Sequence, residues 1–125
     1  MTLTNSPVVP MLPAVDLNRA KKFYEEKLGL VPADMKAPGT AFYKAGAGTM
    51  LGLYERGATK ADHTAACFEV TDIEATMADM RAKGVAFEEY DDPGFKTVNG
   101  IAVADGKKCA WFKDTEGNIL GLNEA

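Results

Sequence analysis

Histidine is almost missing from this chain, with His63 alone among 125 residues. That scarcity excludes a site built on two imidazoles of one chain, the two-histidine facial triad included. Cysteine is scarce too. Cys67 and Cys109 cannot make a disulfide framework, and a reduced cytoplasmic setting is expected. Basic residues do not dominate: 14 Lys and Arg against 18 Asp and Glu leave a net charge of −4. With a pI near 5.0, neither nucleic acid nor an anionic membrane is expected as a partner. No apolar run approaches the roughly 18 residues that cross a bilayer. Residues 1–7 carry neither a basic start nor an apolar core, so no targeting segment is expected. Gly94, Gly100 and Gly106 precede no helix start in the pattern a phosphate loop requires.

What is present reads as one domain of ordinary globular composition, 46% apolar and 26% charged. Val8 to Val15 predicts a strand whose pairing is limited by Pro7, Pro10 and Pro13, as at a sheet edge. Leu17 to Leu28 predicts a helix with Leu17, Ala20, Phe23, Tyr24 and Leu28 on one stripe. Asp16 is placed to cap its start and Gly29 to end it. Leu30 to Met35, Thr40 to Ala45 and Thr49 to Glu55 follow as strand candidates, and 56–62 is a polar linker. The order then restarts. Thr64 to Val70 predicts a strand, Asp72 a cap, Ile73 to Lys83 a helix with Ile73, Met77 and Met80 inward, Gly84 a stop, and Val85 to Tyr90 a strand.

The two caps are 72 − 16 = 56 residues apart and the two stop glycines 84 − 29 = 55 apart. A repeat at that period organises the chain as two modules, about 7–55 and 64–123, joined by 56–63. The second module carries an insert, 91–108, with one more strand candidate at Thr97–Ala104; its spread glycines read as a mobile loop that could close as a lid. Around Asp114-Thr115-Glu116-Gly117-Asn118 two apolar runs predict a β-hairpin. If Asp114 and Asn118 close it, Trp111 faces Gly121 and Lys113 faces Ile119. The fold class is therefore α+β: two tandem β-α-β-β-β modules forming a curved mixed sheet around a cavity, helices on the outer face.

Alternation separates the faces. Leu51 and Leu53, Ala66, Phe68 and Val70, and Leu120 and Leu122 form bulky rows that should pack on the helices. The opposing row mixes small, polar and aromatic residues, which suits either a cavity wall or a solvent-facing sheet.

Three stretches carry a resemblance: P-A-V-D-L-N-R-A-K-K-F-Y-E-E-K-L-G-L at 13–30, F-E-V-T-D-I-E at 68–74, and W-F-K-D-T-E-G-N-I-L-G-L at 111–122. In this order and spacing they resemble the vicinal oxygen chelate superfamily of glyoxalases, bleomycin-resistance proteins and extradiol dioxygenases. The last stretch is close to that family's D-P-D-G-N turn, with Thr115 in place of proline. The resemblance implies paired modules around a cavity that often holds a divalent metal, and a homodimer. It places the metal ligands of relatives at Val9, Gly52, Ala65 and Gly121. None of these side chains can bind a cation, and His63, two residues from Ala65, is displaced by about 6.8 Å along the strand. No metal and no cofactor are therefore expected.

The expected cavity lining is Val9, Met11, Phe42, Met50, Gly52, Tyr54, Ala65, Cys67, Trp111 and Gly121, an aromatic and soft surface suited to a small, mostly apolar or aromatic organic molecule. A register that keeps Lys44 off the core chooses Phe42 over Tyr43. Loss of a ligand at Gly121 leaves room for the Trp111 indole, which is either a cavity wall or a core residue. Cys67 reads as a small buried cysteine, since Glu69 on its face would raise a thiol pKa. The expected function is metal-free binding, as in sequestering or resistance proteins. The alternative is a glyoxalase-type lyase, isomerase or epimerase using either a residual metal site or metal-free acid–base chemistry by Glu69 or Tyr54; whether the protein is an enzyme stays open at this point.

Overall fold

A computed structural model describes residues 3–124. They form two compact units divided between Thr59 and Lys60.

In the first unit, β1 (Met11–Ala14), β2 (Val31–Pro32), β3 (Thr40–Lys44) and β4 (Met50–Glu55) make a sheet in the order β1-β4-β3-β2. β1 runs parallel to β4, and the other pairs are antiparallel. Pro13 sits within β1 because that strand is an edge and its missing N–H is not needed. The same prolines shorten the element: residues 8–10, expected in the strand, lie outside it, as does Val15. The Asp16 carboxylate accepts from the Arg19 N–H at 3.0 Å and starts helix α1 (Leu17–Lys22). The helix continues through Phe23–Lys27 as a π-turn, in which the Leu28 N–H bonds the Phe23 carbonyl at 3.2 Å. Gly29, at φ +71°, then takes the left-handed conformation that ends it. Ala20, Phe23 and Tyr24 are buried, and α1 packs on β3 and β4.

The second unit repeats the plan. β5 (Thr64–Val70), β8 (Ala102–Ala104), β9 (Lys107–Lys113) and β10 (Ile119–Glu124) are ordered β5-β10-β9-β8, again with the first pair parallel. Asp72 caps α2 (Ile73–Ala82) through the Ala75 N–H at 3.1 Å, as Asp16 does α1. Met11 and Cys67 are equivalent at a shift of 56, whereas Phe42 with Trp111 and Gly52 with Gly121 match at 69. The difference, 69 − 56 = 13 residues, is the net length of the insert.

Two expectations about the second unit are corrected. Val85 to Tyr90 is not a strand; it touches β9 through the Phe87–Phe112 bridge and the Glu88 N–H to Trp111 carbonyl bond at 2.8 Å. Thr97 to Ala104 is not one strand either. Asn99 and Gly100, then Asp105 and Gly106, all adopt positive φ, and each pair closes a two-residue turn of the kind Asn-Gly and Asp-Gly favour. The second turn folds β8 onto β9, so that β8 forms the edge of the sheet beside β9. Upstream, Asp91–Asp92 (β6) pairs with Phe95–Lys96 (β7) around Pro93 and Gly94. The insert is thus a series of paired turns rather than an open loop. Among the described residues no helix is long and apolar enough to cross a membrane.

Candidate functional site

The helix-facing rows are closed except on β5, where Ala66, Phe68 and Val70 are only half-buried. Leu12, Leu51, Leu53, Ala110, Phe112, Leu120 and Leu122 are all buried, and Tyr43 lies among them, ring-stacked on Tyr24 at 6.1 Å. The opposite face of each sheet carries the candidate residues.

In the first unit Met11, Gly52 and Phe42 stand side by side across β1, β4 and β3. A Cβ added at Gly52 would collide with the Met11 sulfur and come within 2.9 Å of Met11 Cε and of Phe42 Cε1. The two side chains therefore meet over the glycine, and no larger residue could be placed there without moving both. Met50 and Tyr54, half-buried, flank this row along β4.

In the second unit the equivalent row is Cys67, Gly121 and Trp111. A Cβ at Gly121 would meet the Cys67 sulfur at 2.8 Å. The space above Gly121 is thus taken by the thiol and not by the indole, because the parallel partner β5 leans its side chain over the glycine. Cys67 is exposed rather than buried. Trp111 turns instead toward the insert, with Phe95 at 5.1 Å and Tyr90 at 5.8 Å between ring centroids. These edge-on contacts make a three-ring cluster, and burial together with the Glu88 carboxylate pushes the Tyr90 phenol above its ordinary pKa. Lys113, opposite Ile119, approaches Glu88 at 3.5 Å.

The remaining expected residues stand apart. Val9 precedes β1 and lies outside any strand. Ala65 is exposed and bypassed where the register slips between Ile119 and Leu120. His63 is exposed, with Asp62 at 3.5 Å. Glu69 is exposed on β5, beside Asn123. The residues present therefore do not fit the divalent metal of the resemblance. Its positions hold Val9, Gly52, Ala65 and Gly121, with apolar or thiol groups packed over both glycines. Among the described residues no three His, Cys, Asp or Glu side chains converge to hold an ion.

Two polar clusters were not legible in the sequence. Tyr43 donates from its hydroxyl to Glu25 Oε2 at 2.7 Å across 18 residues, and burial, then that carboxylate, pushes the phenol well above its ordinary range. Glu89 accepts from the Thr97 hydroxyl at 2.6 Å and from the Gly100 N–H at 2.9 Å, which holds its carboxyl below the ordinary value. The first depends on packing of the helix segment on β3, the second on how the insert folds back on Glu89. Two cavities accompany them: one of about 610 Å³ beside β3, and one of about 660 Å³ between α2 and the insert, where Arg81 donates to the Asn99 carbonyl at 2.9 Å.

Two tandem units of this mixed α+β plan with an Asp-x-x-Gly-Asn hairpin define a glyoxalase-like protein. The chain belongs to the Glyoxalase/Bleomycin resistance protein/Dioxygenase superfamily, whose family model matches residues 7–122. Solved structures share the fold at low identity. A lactoylglutathione lyase from Agrobacterium tumefaciens aligns with TM-score 0.73 and 21% identity over 99% of this chain and 96% of its own. TnmS3, an antibiotic binding protein from Streptomyces sp. CB03234, aligns with TM-score 0.68 and 23% identity over 99% and 98%. The oxidase ChaP-H2 gives TM-score 0.72 and 23% identity over 98% and 94%. At such identities the likeness is one of fold alone. No curated protein sequence matches the chain.

Proposed function

We propose that this protein binds a small, mostly apolar or aromatic organic molecule without a metal ion, on the sheet face opposite its helices, as a sequestering or resistance protein does. The observation that carries the reading is the filling over Gly52: Met11 and Phe42 occupy the place where a metal ligand of relatives would project. Soft, polarisable and aromatic groups of this kind bind flat apolar ligands by dispersion and ring contact. The fold likeness to an antibiotic binding protein supports the same reading. It takes 7–55 and 64–123 as modules of one functional domain, in a cytoplasmic homodimer. Titration calorimetry with zinc, nickel and manganese tests it: no stoichiometric site is expected, and micromolar binding of any one refutes the metal-free reading.

The second reading, a glyoxalase-type lyase, isomerase or epimerase, is favoured by the fold likeness to a lactoylglutathione lyase. It requires Glu69 or Tyr54 to move a proton without a metal. Turnover of a methylglyoxal–glutathione hemithioacetal by the pure protein would establish it over the first.

A further inference from the structure

The cavity beside β3 shares only Phe42 with the open-face row and has its own physical origin. β2 is two residues long, and the Ala33 N–H to Phe42 carbonyl bond at 2.8 Å follows its last pair. Residues 34–39 then arch away from the sheet and return where the Thr40 hydroxyl bonds the Ala37 carbonyl at 2.7 Å. The arch, the helix segment carrying Lys21 and Glu25, and the edge of β3 border an open groove of about 610 Å³, a size typical of small-molecule sites. Much of its wall is apolar: Ala33, Met35, Pro38, Ala41 and Phe42. Met35, 49% exposed, is a long apolar side chain held in water.

The charges of the lining are Lys21 and Lys36 against Glu25, a local balance of 2 − 1 = +1 in a chain of net −4. Glu25 accepts from the Tyr43 hydroxyl at 2.7 Å, which ties one of its carboxylate oxygens to β3. The two lysines are exposed. We propose that this cavity is a second binding site, for a small amphipathic anion: an aromatic or short aliphatic body bearing one carboxylate or sulfonate. The body lies against Met35, Pro38 and Phe42, and the anionic group is drawn by Lys21 and Lys36.

The experiment uses the full ¹⁵N-labelled chain and three probes of one shape: 2-naphthoate, 2-naphthalenemethanol and 2-naphthylmethylammonium. Naphthoate should shift the amides of Ala33, Thr40 and Ala41 saturably and bind about five-fold tighter than the alcohol, with the ammonium weakest. Lys21→Glu combined with Lys36→Glu should weaken naphthoate about ten-fold and leave the alcohol unchanged. If that double variant does not fold, Lys36→Met alone should weaken naphthoate about two-fold. Equal affinity for all three probes, tightest binding of the ammonium, or undiminished naphthoate binding by the folded lysine variant overturns the proposal. So do shifts confined to Gly52 and its strand neighbours, which would assign the probe to the open-face row of the first unit and leave the metal-free reading standing.

Discussion

Replacing Asp114 by alanine should cost this protein a large part of its stability. The carboxylate is 6% exposed, and the Asn118 it serves is 2% exposed. Asp114 Oδ1 accepts from the Glu116 N–H and the Asn118 N–H, each at 2.8 Å, and Oδ2 accepts from the Asn118 side-chain amide at 2.8 Å. Alanine removes these acceptors together and leaves the buried Asn118 donors without them. At about 1–1.5 kcal/mol for each bond, the loss is about 3–5 kcal/mol. That is a large share of the ~5–15 kcal/mol that holds a domain folded, and it lowers Tm by about 15 °C. The exposed cap Asp16, which accepts from the Arg19 N–H, is the comparison: Asp16→Ala should cost about 1 kcal/mol. Urea unfolding read by circular dichroism measures both, with equal slopes confirming that only stability changed. A loss below about 1 kcal/mol for Asp114→Ala, or a loss no larger than that of Asp16→Ala, refutes the reasoning.

Three further outcomes are expected. Phe95→Ala should shift Trp111 emission to longer wavelength, since the ring 5.1 Å away shields the chain's single indole; unchanged emission would mean that the three-ring cluster does not persist in solution. A disulfide reagent should label exposed Cys67 before half-buried Cys109. Burial, then the neighbouring Cys67, raises the Cys109 thiol above its ordinary 9.0, so Cys109 labelling should keep accelerating beyond that pH; equal rates at both thiols would refute this. Glu89 is held below its ordinary 4.5, so its contribution to the insert's stability is present above that pH and lost as pH falls through the lowered value. Thr97→Val should raise the Glu89 carboxyl, read by NMR titration of its carboxyl carbon; no upward movement would show that the Thr97 hydroxyl is not the cause.

The sequence by itself determined the repeat, the caps and the hairpin, because each rests on neighbours within a few residues. Asp16 and Asp72 cap helices from three positions away. Gly117, at φ +86°, completes a turn that places Trp111 opposite Gly121 and Lys113 opposite Ile119. The turns at Asn99-Gly100 and Asp105-Gly106 were legible in the same way, yet the segment from Thr97 to Ala104 reads as one strand when alternation outweighs turn chemistry. Only the tertiary structure decided that β8, and not Val85–Tyr90, takes most of the edge of β9. Two segments competed for one edge, and the local hairpin pairs at the lower entropic cost. It alone also decided that Cys67 rather than Trp111 covers Gly121, and that Tyr43 meets Glu25. Those choices depend on which strand lies beside which and how far its side chains lean, and no local spacing encodes them.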